Sequence, residues 1–81
     1  MRIVKEIPHP DLRITVFHWN NRYLIKLEAG LMEQTYKIQE YDVASEEDVI
    51  GMLDSIFIDK VVTIFHSMNN CLSESFSRLH G

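Results

Sequence analysis

The sequence predicts an α+β fold, in which an antiparallel meander of three or four strands precedes a short and a long helix packed on one sheet face. In the first half, apolar and polar residues alternate around an Asn-Asn pair, as in a half-buried hairpin. In the second half, apolar residues recur every three or four positions, as in amphipathic helices. We expect the 81 residues to form a single domain, with the meander in residues 1–39 and the helical segment in residues 45–79.

The pair Asn20-Asn21 predicts a tight hairpin, because asparagine tolerates the positive φ that a type I′ turn requires. With this turn, Phe17 faces Leu24 and Trp19 faces Arg22 across the two strands. A slip of one residue would scramble both faces of the ribbon, so the pattern specifies the register. One face is then largely apolar, and it consists of Leu12, Ile14, Val16, His18, Tyr23, Ile25, Leu27 and Ala29.

A second turn around Gly30-Leu31 predicts a third strand. This strand extends the apolar face with Tyr36 and Ile38. The same register places Glu28 opposite Glu33, and this like-charge pair is the weak point of the assignment.

The N-terminal segment has two possible roles. Residues 3–7 could add a fourth strand at the sheet edge, ended by Pro8 and Pro10 because proline cannot donate to a ladder. Alternatively, the segment could fold over the outer sheet face, with Ile3 and Ile7 as the cover.

A helix start is predicted at Ser45, a good N-cap residue, followed by three acidic residues in the first turn. An unbroken helix to Leu79 would run ~50 Å, whereas a strand of seven or eight residues covers only about 25 Å. We therefore predict a break near Asp54-Ser55. This gives a short helix from about Glu46 to Leu53 and a long one from about Ile56 to Leu79.

The long helix carries more apolar surface than one sheet face can bury. Its coiled-coil-like seam predicts helix-on-helix packing, most simply with a second copy of the chain around a two-fold axis. The predicted homodimer interface consists of Ile58, Val61, Phe65, Met68 and Leu72.

No catalytic, cofactor-binding or metal-binding residues are predicted. The four histidines, His9, His18, His66 and His80, show no metal-ligand spacing with each other or with a carboxylate. Cys71 lies five positions after His66, which separates the two by about 140° around a helix, so Cys71 is expected to be a small buried residue. The three glycines do not cluster into a phosphate-binding loop. We therefore expect a protein that is not an enzyme.

The sequence predicts a cytoplasmic protein. Cys71 is the single cysteine, which is typical of a reducing compartment. The first ten residues carry the charges of Arg2, Lys5 and Glu6, so no signal peptide is expected there. No apolar run approaches the ~18 residues of a membrane span, so no membrane association is expected.

The outer sheet face is the predicted binding surface, because it groups large apolar side chains with basic ones. Its candidate residues are Arg13, Phe17, Trp19, Arg22, Leu24 and Lys26. The net charge is −4. Residues 1–37 contribute +2 (six basic, four acidic) and residues 38–81 contribute −6 (two basic, eight acidic). We predict a small protein-interaction or regulatory module that acts as a homodimer and binds another protein, such as an acidic segment.

The alternative is a weak single-stranded nucleic-acid-binding protein that uses the same aromatic and basic face, because sheet aromatics can stack bases. The acidic net charge disfavours nucleic acid as a partner.

Overall fold

Four strands follow one another across one antiparallel sheet in the order β1-β2-β3-β4, so the predicted meander is confirmed and has four strands. The computed structural model describes all 81 residues. The strands are β1 (Arg2–Ile7), β2 (Arg13–Trp19), β3 (Arg22–Ala29) and β4 (Met32–Gln39). A 3-10 helix (Glu40–Asp42) then leads to the helices α1 (Glu46–Gly51) and α2 (Ser55–His80).

Both predicted turns form with the expected residues. Asn20 and Asn21 have φ values of 54° and 61°, as a type I′ turn requires. In the second turn Gly30 has a φ of 62° and Leu31 is not at positive φ, which is the type II′ pattern. The predicted register of both hairpins is confirmed, including Glu28 opposite Glu33.

Strand β1 resolves the two possible roles of the N-terminal segment. The segment pairs edgewise with β2, so it extends the sheet instead of folding across it. The register shifts between Ile3 and Lys5, which indicates a bulge at Val4. As a result, Ile3 lies opposite Phe17 on the outer face, whereas Ile7 packs against the core.

Both helices pack on the inner sheet face. Val49 of α1 and Val61 and Phe65 of α2 are buried against the apolar side of β2 and β3. The core therefore consists of Leu12, Ile14, Val16, Tyr23, Ile25, Leu27, Val49, Val61 and Phe65. An ion pair between Arg2 and Glu46 joins β1 to the first turn of α1.

The predicted helix break is confirmed at Asp54, which caps α2. Its Oδ1 atom accepts a hydrogen bond from the Phe57 amide at 2.9 Å. At the start of α1, Ser45 occupies the N-cap position, but its hydroxyl makes no capping hydrogen bond. Instead, the Asp48 carboxylate accepts from the Ala44 amide at 2.8 Å. The expected capping role of the Ser45 side chain is therefore wrong, and the Asp48 carboxylate instead ties the residue before the N-cap to the first turn.

Helix α2 extends well beyond the sheet even with the break at Asp54. Its 26 residues span ~39 Å, and from Asn69 to the C-terminus every residue is exposed. The expected burial of Cys71 is wrong, because Cys71 lies in this projecting part. No helix of the chain combines the length and the apolar character needed to cross a membrane.

Candidate functional site

The outer sheet face is the side turned away from both helices. Its apolar side chains lie close together near the Asn20-Asn21 turn. Ile3, Phe17 and Leu24 lie opposite one another in β1, β2 and β3. Trp19 lies two residue pairs closer to the turn on the same face, opposite Arg22. We call Ile3, Phe17, Trp19 and Leu24 the apolar patch.

The apolar patch is open to solvent. Trp19 is 50% exposed and Ile3 is 57% exposed, while Phe17 and Leu24 are partly buried between their neighbours. The sequence prediction omitted Ile3, because its place beside Phe17 depends on the register of β1. The proline pair that ends β1 signals an edge strand but does not signal the bulge that sets this register.

The basic residues of this face divide into two groups. Arg13 and Lys26 lie farther from the Asn20-Asn21 turn and are paired with acids: Arg13 Nη2 is 3.6 Å from Glu6 Oε1, and Lys26 Nζ is 3.4 Å from Glu28 Oε1. Arg22 makes no ion pair within the chain and lies beside Trp19. The structure thus brings Phe17, Trp19, Leu24 and Arg22 together on one face. Lys26 adjoins Leu24 on the same face and Arg13 lies farther along β2, and both differ from Arg22 in having an acidic partner.

The opposite side of the same hairpin carries a polar cluster. His18 Nε2 is 3.2 Å from Glu40 Oε2, and the His18 ring packs on Tyr23 at a centroid distance of 4.8 Å. Burial raises the pKa of Tyr23, and the negative charges of Glu46 and Glu40 raise it further. The His18–Glu40 contact joins the 3-10 helix to the end of the sheet.

The cysteine and the other histidines discussed above lie apart from one another. His9 Nδ1 accepts hydrogen bonds from the Asp11 and Leu12 amides at 3.1 and 3.2 Å, which orders the β1–β2 loop. His66 and Cys71 are both exposed on α2. The structure does not bring three His, Cys, Asp or Glu side chains together in a cluster that could hold a metal ion.

The predicted dimer seam is divided between the core and solvent. Val61 and Phe65 are buried, and Ile58 and Met68 are partly buried against the same core. These four side chains face the chain's own sheet. Val61 and Phe65 are buried there, so they have no exposed surface that a second copy could contact. Leu72 is half-exposed. The large apolar residues that α2 exposes are Ile56, Ile64, Leu72, Phe76 and Leu79.

Comparisons with protein-family models, with curated proteins and with solved structures found no match to this chain.

Proposed function

We propose that the protein is a non-catalytic interaction or regulatory module that holds an acidic segment of another protein on the apolar patch. The observation that carries this proposal is the half-exposed Trp19 beside the unpaired Arg22, on the sheet face that is turned away from both helices. Trp and Arg are the residue types that contribute most strongly to protein interfaces.

The physical reason is the free energy of leaving this patch in water. Apolar surface gains roughly 25 cal/mol per Å² when it is removed from water, so a partner that covers Trp19 and Ile3 recovers that free energy. Arg22 adds a preference for a carboxylate, because its planar guanidinium can bind one in a bidentate manner. An acidic segment with one or two apolar side chains matches both features.

The proposal includes a homodimer and a cytoplasmic location. Exposed apolar residues along α2, Ile64 and Leu72 among them, support the dimer. The free, exposed thiol of Cys71 supports a reducing compartment.

Selection from a display library of random 12-residue peptides tests the binding surface. We expect the protein to enrich peptides that combine Asp or Glu with Leu, Phe or Trp. The double variant Trp19→Ala/Arg22→Ala should lose this enrichment while its far-UV circular dichroism stays unchanged. Arg13→Ala is the matched control, because it removes a cation of the same face that Glu6 already pairs. Equal enrichment by the double variant and the wild type would contradict the proposal.

The second candidate is weak binding of single-stranded nucleic acid. Phe17 and Trp19 on one sheet face, with Arg22 beside them, support it because aromatic residues on a sheet can stack bases. Fluorescence anisotropy with a labelled oligonucleotide should then show binding that weakens steeply with salt. A flat titration at low salt removes this candidate.

A further inference from the structure

The two edges of the sheet differ in how they are protected. Edge strands usually carry bulges, prolines or other devices that prevent pairing with another chain. Strand β1 has the bulge at Val4, and Pro8 directly follows the last residue of the strand. Strand β4 has neither, and its eight residues pair with β3 without a register shift. The β4 edge is therefore a regular template for a further strand.

The turn before β4 determines which residues offer hydrogen bonds at that edge. The two-residue turn makes Ala29 and Met32 a hydrogen-bonded pair, and such pairs recur at every second residue. Even-numbered residues of β4 thus bond to β3. The odd-numbered residues, whose side chains lie on the outer face, point their amide and carbonyl groups away from β3, and they are Glu33, Thr35, Lys37 and Gln39.

The charges on this edge are arranged for a second copy. An antiparallel strand of identical sequence, centred on Thr35, places Glu33 opposite Lys37 of the partner subunit, twice per dimer. Centring on Glu33 or on Lys37 would place like charges opposite each other. Centring on Gln34 or Tyr36 would leave both charges without an opposite charge. Exposed ion pairs contribute little stability, but they select the register.

The inner-face residues of β4 fit the same register. Centring on Thr35 places Met32 opposite Ile38 of the partner subunit, so that two apolar side chains meet. It places Gln34 opposite Tyr36 of the partner subunit. Within each chain Gln34 already bonds to Val61 and to Tyr36, so this pair brings no unpaired polar group into the contact.

The same arrangement accounts for the like-charge pair within the chain. Glu33 lies opposite Glu28 and makes no ion pair, and Lys37 makes none either. The Thr35 hydroxyl donates to the Glu33 carboxylate at 3.1 Å, which holds this carboxylate near the middle of the edge. Lys37 of the partner subunit would supply the cation that Glu33 lacks.

The buried area indicates that α2 joins the contact. A strand edge of eight residues is ~27 Å long and ~10 Å deep, or about 270 Å² per copy, whereas stable interfaces bury about 800 Å² per partner. Phe57 packs on Tyr36 of β4 at a centroid distance of 5.5 Å. Ile64 lies two turns farther along the same side of α2 and is 42% exposed, so it is available beside the β4 edge.

We propose that two copies of this chain join through β4 in antiparallel register, with Thr35 facing Thr35 of the partner subunit, to form an eight-stranded sheet. The two α2 helices then run antiparallel beside each other, and Ile64 packs between them. This inference rests on the homodimer of the proposed function and specifies its interface. The apolar patches of both copies stay open on the shared outer face.

Charge reversal tests the register by sedimentation velocity over a hundredfold range of concentration. We expect a dimer for the wild type. Glu33→Lys and Lys37→Glu should each raise the dissociation constant at least roughly tenfold, because like charges then face each other. The double variant Glu33→Lys/Lys37→Glu should restore the dimer. An equimolar mixture of the two single variants should also dimerise, since each chain then offers the charges that the other lacks.

Cysteine cross-linking tests the centre of the interface in a Cys71→Ser background. Thr35→Cys should form an intermolecular disulfide on mild oxidation, because residues in a hydrogen-bonded antiparallel pair have Cα atoms about 5.5 Å apart. Gln39→Cys is the control and should form no intermolecular disulfide under the same conditions, since the two copies of residue 39 would be separated by about 27 Å.

Three results would overturn this interface: a wild type that is monomeric at all concentrations, single charge variants that dimerise like the wild type, or a Thr35→Cys variant that does not cross-link. If the single charge variants dimerise like the wild type, the homodimer of the proposed function stays in place but forms through another surface, such as the exposed part of α2 around Leu72. A wild type that dimerises through β4 but enriches no acidic peptide would contradict the proposed binding function alone.

Discussion

Gln34 of β4 donates its side-chain amide to the main-chain carbonyl of Val61 at 3.0 Å and thereby joins the edge of the sheet to α2. Its carbonyl oxygen accepts the Tyr36 hydroxyl at 2.7 Å. Gln34 is buried, so both bonds are made away from water, where an unmade bond is costly. This polar residue in the apolar face fixes where α2 crosses β4, and hence which side of α2 lies beside the sheet edge.

Replacing Gln34 by alanine should lower the free energy of unfolding by about 1–3 kcal/mol, because the Tyr36 hydroxyl loses its acceptor. Urea unfolding at a concentration where the protein is monomeric measures this loss. Gln39→Ala, the same change at the end of the same strand, is the control and should stay within about 0.5 kcal/mol of the wild type. Equal losses for the two variants would show that the Gln34 bonds do not stabilise the fold.

The two halves of α2 should respond differently to the same substitution. Phe65→Ala should cost about 3–5 kcal/mol, because Phe65 is buried in the core. Phe76→Ala should cost less than about 0.5 kcal/mol, because Phe76 lies in the projecting part and is half-exposed. Thermal unfolding followed by circular dichroism measures both. A large loss for Phe76→Ala in the monomer would mean that the projecting part packs on the sheet.

Removing the N-cap side chain should destabilise the protein more at the start of α2 than at the start of α1. Asp54→Ala should lower the free energy of unfolding by about 1 kcal/mol, because it removes the carboxylate that accepts from the Phe57 amide. Ser45→Ala should have a smaller effect, because the Ser45 hydroxyl makes no capping bond. Urea midpoints of the two variants check this order, and a larger effect at Ser45 would reverse the assignment of the caps.

Stability should decrease at alkaline pH through Tyr23. The folded chain raises the pKa of Tyr23, chiefly by burial, so it holds the phenolic proton more tightly than the unfolded chain does. This contribution is fully present below the unfolded pKa of about 10, and it is lost as the pH rises through the folded pKa. Tyr23→Phe should reduce the fall in unfolding free energy above pH ~10, whereas Tyr41→Phe, at an exposed position, should not. Identical pH profiles for the Tyr23→Phe variant and the wild type would contradict this.

Local patterns predicted the register of both hairpins and the helix break, because turn residues and apolar periodicity act over a few neighbouring positions. Placements that depend on tertiary contacts were harder to predict. The predicted dimer interface includes Val61 and Phe65, but both side chains are buried against the chain's own sheet. Similarly, Arg13 and Lys26 were grouped with Arg22, because their ion pairs with Glu6 and Glu28 depend on where the strands lie.

Gln34 and Ile3 illustrate the same limit at single positions. A glutamine on an apolar strand face gives no signal that it bonds to a helix carbonyl 27 residues later in the chain. The position of Ile3 beside Phe17 depends on a bulge that no residue type in β1 specifies. Both residues acquire their roles from strand and helix placement.

The emission of Trp19 provides the most direct test of the proposed binding surface, because Trp19 is the single tryptophan of the chain and is half-exposed. The measurement is a fluorescence titration with the acidic peptide that display selection enriches most. We expect the emission maximum to shift to shorter wavelength and acrylamide quenching to decrease as the peptide covers the indole, and Arg22→Ala should weaken the titration. Binding of the peptide with unchanged Trp19 emission and quenching would contradict the apolar patch as the binding site.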